Sequence, residues 1–152
     1  MTKADFYIGT GVTANWIGST FNDGYVHGIP LEILLCVNPT LFEELVVEFI
    51  QSREVGAVKT NGDRWPHPWP DSRMTDYSYI FIEDLSKVVV SNYGGIMFDP
   101  IKYLNEGDIE SSDVGLGNPV FPLTEGRAWT ESCQNYTKIM DSIRTIGTFR
   151  QR

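Results

Sequence analysis

The stretch "RWPHPWPDSRMTDY", residues 64–77, gathers the densest recognition chemistry in the chain. Pro66, Pro68 and Pro70 fix φ and stiffen the backbone towards polyproline II, which holds Trp65, His67 and Trp69 apart and keeps them from collapsing. An indole offers a flat apolar face and one donor, which suits stacking on a base, a proline or a guanidinium. Arg64 and Arg73 can meet a phosphate or carboxylate. Asp71 and Asp76 can orient a ligand or exchange a proton with it, and Tyr77 closes the set. These eight residues are the candidate ligand- or partner-binding site. The competing reading makes Trp65 and Trp69 a lid over the sheet, with the charges at its solvated edge.

A second pattern, Gly9-x-Gly11-x-x-Ala14 in "IGTGVTA", has the spacing of a dinucleotide fingerprint. That site requires a helix to start at the second glycine, because the helix amino end holds the pyrophosphate. Trp16, Ile17, Phe21 and Tyr25 form no helical stripe, and Gly18 and Gly24 would interrupt one at about 1 kcal/mol each. The expectation is a strand followed by a glycine turn, with no cofactor. His27 and His67 have no second histidine or cysteine at ligand spacing, so no metal site is expected. Cys36, inside Ile33-Leu34-Leu35-Cys36-Val37, reads as a core thiol, and nothing in the spacing pairs Cys133 with either histidine. Signatures of serine hydrolases, phosphate loops and zinc proteases are absent, so no residue is assigned as catalytic.

Charge narrows the partner. The 20 acids and 12 bases give a net charge of −8, and residues 1–126 hold 18 of those acids against 7 bases. Such an anionic body repels phosphate, which argues against nonspecific nucleic-acid binding by it. Glu106, Asp108, Glu110 and Asp113 form an acidic surface that lacks the alternating ligands of a calcium loop; it either solvates the protein or imitates the phosphate row of a nucleic acid. No run reaches the roughly 20 apolar residues of a membrane span. Met1–Asp5 leads into no apolar signal region, so a cytoplasmic protein without membrane contact is expected.

The elements that must position these groups can be read from periodicity. Residues 4–9 suggest a strand, and Asn22-Asp23-Gly24 suggests a hairpin between two short strands within residues 16–30. "NPTLFEELVVEFIQSR" predicts a helix over 39–53: Asn38 can cap it, Pro39 suits its first position, and Phe42, Leu45, Val46, Phe49 and Ile50 share one face. Residues 54–75 lack periodicity and read as a loop. "DYSYIFIE" and "KVVVSNY" alternate as an antiparallel hairpin, and Ile96-Met97-Phe98 follows as a third strand. Residues 99–126 read as an irregular acidic loop, and a final helix is expected over 130–146. The fold expected is α+β: a mostly antiparallel sheet from residues 4–28 and 76–98, the 39–53 helix packed on it, and a C-terminal helix. One domain spans 1–147, with a short basic tail at 148–152.

In combination, "ADFYIGTGVTANWIGSTFNDGY", "RWPHPWPDSRMTDYSYIF" and "VFPLTEG" resemble a group of small bacteriophage-encoded proteins without assigned catalytic residues. The resemblance implies a viral accessory protein acting in a bacterial cytoplasm. With small size, acidity and a rigid aromatic loop, it points to a non-catalytic inhibitor of a host defence system that binds a host protein complex. Two alternatives stay open: a nucleotide-binding protein or enzyme using the 64–77 loop as its pocket, and a minor virion or assembly protein. The sequence does not specify an oligomeric state.

Overall fold

The computed structural model describes residues 2–11, 14–53, 56–58 and 75–119. Among these residues six strands form one sheet in the order β3-β2-β1-β4-β5-β6, accompanied by three helices, so the α+β expectation holds. The strands are β1 (Ala4–Ile8), β2 (Asn15–Thr20), β3 (Gly56–Val58), β4 (Tyr77–Ile82), β5 (Lys87–Asn92) and β6 (Met97–Phe98). All neighbours are antiparallel except the central pair β1 and β4, which run parallel.

Gly9 and Gly11, at φ +83° and +70°, let the chain reverse between β1 and β2. The left-handed region they occupy is open to glycine without a Cβ penalty. Ala14 N donates to Gly11 O at 3.1 Å, and the chain then enters an antiparallel strand where a dinucleotide site would need a helix. The fingerprint spacing therefore marks a hairpin turn. The expected hairpin at Asn22-Asp23-Gly24 is absent, because β2 already lies between β1 and β3 and has no open edge for a returning strand. That segment leads instead into a 3-10 turn, Val26–Gly28. Two further loop assignments need correction. Gly56–Val58 is a strand that takes the outer edge of β2, and residues 100–106 are helical.

The clearest helix, α2 (Pro39–Gln51), forms as its sequence dictates. The Asn38 side chain accepts from Leu41 N at 3.0 Å, Pro39 occupies the first turn, and Phe42, Val46, Phe49 and Ile50 are buried. Each such side chain contributes roughly 1.5–3 kcal/mol on full burial. A shorter helix, α1 (Leu31–Leu34), precedes it, and α3 (Pro100–Glu106) follows β6. Asp99 caps α3 by accepting from Ile101 N and Lys102 N, and it pairs with Lys87 Nζ at 2.7 Å. Burial alone would raise the Asp99 carboxyl, but the bonds from Lys87 and the two amides outweigh it and hold the group below its ordinary value.

All three helices send side chains to one sheet face, where Phe6, Ile17, Tyr79, Phe81, Val88, Val90 and Phe98 form the main core. Phe6 stacks on Tyr79 with centroids 5.2 Å apart, and Phe42 meets Phe81 at 5.6 Å. The opposite face carries a smaller cluster of Tyr7, Trp16, Ile80, Val89 and Met97. Beside it, registered across four adjacent strands, lies a polar row of Ser19, Asp5, Ser78 and Ser91, each fully buried. Asp5 accepts from Ser19 Oγ at 2.6 Å and from Tyr7 Oη at 3.0 Å, while Trp16 Nε1 donates to Ser19 Oγ at 3.0 Å. Among the described residues no helix is long and apolar enough to cross a membrane. The expected 130–146 helix and the 148–152 tail lie outside the described residues.

Candidate functional site

β1 and β4 run parallel and their neighbours antiparallel, so one end of the sheet gathers the starts of β1 and β4 with the ends of β2 and β5. Asp76 sits there, immediately before β4. Its carboxylate accepts from Lys3 N at 2.7 Å and from Tyr93 Oη, and its carbonyl accepts from Asn92 Nδ2 at 2.9 Å and Tyr93 N at 3.0 Å. Both carboxylate oxygens are thus engaged in holding β1 and β5 in place. That occupancy makes Asp76 an organiser of this end.

Around Asp76 stands a group of tyrosines. Tyr25 meets Tyr77 edge-on, with centroids 6.3 Å apart, and Tyr77 lies 6.2 Å from Tyr79. Tyr103, on α3, meets His27 at 6.4 Å. Tyr79 is buried and donates to Gly24 O at 2.6 Å, which fixes the segment carrying Tyr25. The same segment is tied down by Gly24 N donating to Thr2 O at 3.0 Å. Only glycine fits at 24, since a Cβ would lie 2.9 Å from the Lys3 carbonyl carbon. Tyr25 and Tyr93 nevertheless leave 56% and 58% of their surface in water.

Tyr93 is also conformationally unusual. Its φ is +51°, in the left-handed region that a bulky side chain rarely enters, at a cost of order 1–3 kcal/mol. Two bonds to Asp76 keep it there, one from its amide and one from its phenol. The sheet end thus presents aromatic rings that are rigidly mounted yet half exposed. Such amphipathic side chains lose little rotamer entropy on contact and dominate protein recognition surfaces.

The phenols of Tyr77 and Tyr93 are held towards their neutral form. Burial, then the nearby Tyr103, Tyr25 and Asp76, pushes the Tyr77 phenol above its ordinary value of 10.0. The hydrogen bond to Asp76, followed by its charge, does the same for Tyr93. A group whose folded pKa is raised contributes stability that is fully present below the unfolded pKa and is lost as pH rises through the folded value. Spectrophotometric titration is therefore expected to show tyrosines ionising above the ordinary range, with unfolding following on the alkaline side. In Asp76→Asn one phenol should titrate earlier. A titration curve unchanged in that variant would contradict the assigned bond.

Of the eight residues marked in the 64–77 stretch, Asp76 and Tyr77 belong to this sheet end. Arg64, Trp65, His67, Trp69, Asp71 and Arg73 lie outside the described residues. Glu106, Asp108, Glu110 and Asp113 are all exposed, at the end of α3 and in the turns after it. Two of them serve the local backbone, with Asp108 accepting from Glu110 N at 2.9 Å and Asp113 from Gly115 N at 2.7 Å. Cys36 is buried and its thiol donates to Asn38 O, as a core thiol should. Among the described residues no group of three histidine, cysteine or acidic side chains is placed to hold a metal. The sequence marks none of Tyr25, Tyr93 and Tyr103 as a site residue, and it raises His27 only as a metal ligand or thiol partner. Tyr25 and Tyr93 flank glycine turns, and that position was their one available signal. No family model matches the chain, and neither a curated protein nor a solved structure is found to be similar to it.

Proposed function

We propose that this chain is a non-catalytic binding protein that docks on a host protein complex through the tyrosine-bearing end of its sheet. Its role would be that of a bacteriophage accessory protein inhibiting a host defence system in the bacterial cytoplasm. The observation that carries the binding reading is the exposed pair Tyr25 and Tyr93, held rigid by Gly24, Tyr79 and Asp76. Side chains that are exposed but immobilised at a backbone cost suit contact with a partner, because little entropy remains to be lost on binding. The phage and anti-defence parts of the proposal rest on the resemblance of the aromatic and glycine segments.

The test is capture from lysate of a bacterial host with the immobilised full chain, followed by mass identification. The expected result is one stoichiometric protein complex retained by the wild type and lost by a Tyr25→Ala/Tyr93→Gly variant whose melting point stays within a few degrees of the wild type. Equal retention by both proteins would remove the tyrosine end from the account. Release of a nucleotide with no protein would replace the reading with the nucleotide-binding alternative.

A further inference from the structure

The geometry points to a second docking surface, at the corner between α1 and α2, shaped for a basic amphipathic helix of a partner protein. Leu31, Leu35, Val37 and Leu41 leave 57%, 58%, 69% and 47% of their surface in water. They make up half of the large hydrophobic side chains exposed among the described residues, yet all fall within residues 31–41. Leu35 N donates to Leu31 O at 2.9 Å, so these two leucines stand one helical turn apart on the same side. The core does not need them, because Ile33, Leu34, Cys36 and Phe42 already fill the inward side of the corner. A concentrated apolar patch left in water is characteristic of an interaction site.

Charge decides what fits there. Residues 30–52 hold Glu32, Glu43, Glu44 and Glu48 and neither lysine nor arginine. All four glutamates are exposed, and among the described residues the ion pairs are Arg53 with Asp23 and Lys87 with Asp99, so none of the four is paired with a described lysine or arginine. Glu44 and Glu48 follow Leu41 at three and seven residues, which continues its ridge along α2. A second copy of the chain would bring like charges together, and an anionic bilayer would be repelled. A helix with an apolar stripe flanked by lysine or arginine would cover the leucines and pair with the glutamates at once.

The probe is a fluorescein-labelled helical peptide of leucine and lysine in amphipathic order, titrated into the full chain and read by anisotropy. Two peptides of equal length serve as comparators, one of lysine and serine, the other of leucine and glutamine. The leucine and lysine peptide is expected to bind at least tenfold more tightly than either. Its affinity should fall at least tenfold in Leu35→Ser/Leu41→Ser and in Glu44→Gln/Glu48→Gln, and should stay unchanged in Tyr93→Gly at the other surface. The glutamate variant keeps the test decisive if the leucine variant folds poorly. Equal binding of the lysine and serine peptide, or wild-type affinity in the glutamate variant, would overturn the proposal. So would light scattering that shows a dimer of the free chain dissolved by Leu35→Ser/Leu41→Ser, which assigns the corner to a second copy.

Discussion

Replacing Asp5 with alanine is expected to cost about 2–5 kcal/mol of folding stability, the largest effect of any polar substitution in the sheet. The side chain is fully buried on the central strand, and both of its oxygens accept hydrogen bonds from side chains. Removing it takes from the buried hydroxyls of Tyr7 and Ser19 the carboxylate to which they donate. Each bond lost to that buried charged acceptor is worth about 1–3 kcal/mol. The indole of Trp16, which donates to Ser19, loses its anchor at the same time. Ser78 is the informative contrast. It is Asp5's neighbour across the parallel pair and equally buried, but its Oγ has no hydrogen-bond partner among the described residues. Ser78→Ala should therefore be neutral or stabilising. Urea unfolding checks both: the midpoint should fall sharply for Asp5→Ala, stay or rise for Ser78→Ala, and the slope should not change. A loss below about 1 kcal/mol for Asp5→Ala would show that the polar row does not organise this face.

The second large effect concerns Tyr93, where stability and binding are expected to part. In Tyr93→Gly the backbone keeps a left-handed conformation that now carries no Cβ strain, which offsets the lost phenol bond to Asp76. The melting point should stay within a few degrees. Affinity for the captured partner should drop roughly 30-fold or more, as expected for an aromatic anchor contributing about 2 kcal/mol or more. The amide of residue 93 still donates to Asp76 O, so the turn itself is retained. A variant that unfolds readily would make Tyr93 a structural residue. One that folds and binds as the wild type does would dismiss the tyrosine end as a contact surface.

What the sequence discloses follows from how far each signal reaches. The β4–β5 hairpin was legible because Tyr77, Tyr79 and Phe81 alternate with Ser78, Ile80 and Ile82, and the two sets face different clusters. Helix α2 was legible because its cap and its apolar spacing agree. Helix α3 carries no periodic signal, because its seven residues, PIKYLNE, are too few for an apolar stripe, although Asp99, Pro100 and Gly107 supply a cap, a first turn and a left-handed stop. The parallel neighbours β1 and β4 are about seventy residues apart in sequence, and no local pattern records that they touch. For the same reason Asp76 could be named as a polar loop residue, whereas its partners Lys3 and Tyr93 could not. Tyr25 and Tyr93 are single aromatics in turns, where neither helical nor strand periodicity can identify them.

The most direct test of the binding account is hydrogen–deuterium exchange of the full chain, alone and in the captured complex. The tyrosine end predicts slowed exchange in the complex at Gly24–His27, Asp76–Tyr77 and Tyr93–Gly94, three segments distant in sequence and joined by Asp76 and Tyr79. Exchange unchanged at all three, with protection confined to other parts of the chain, would contradict it.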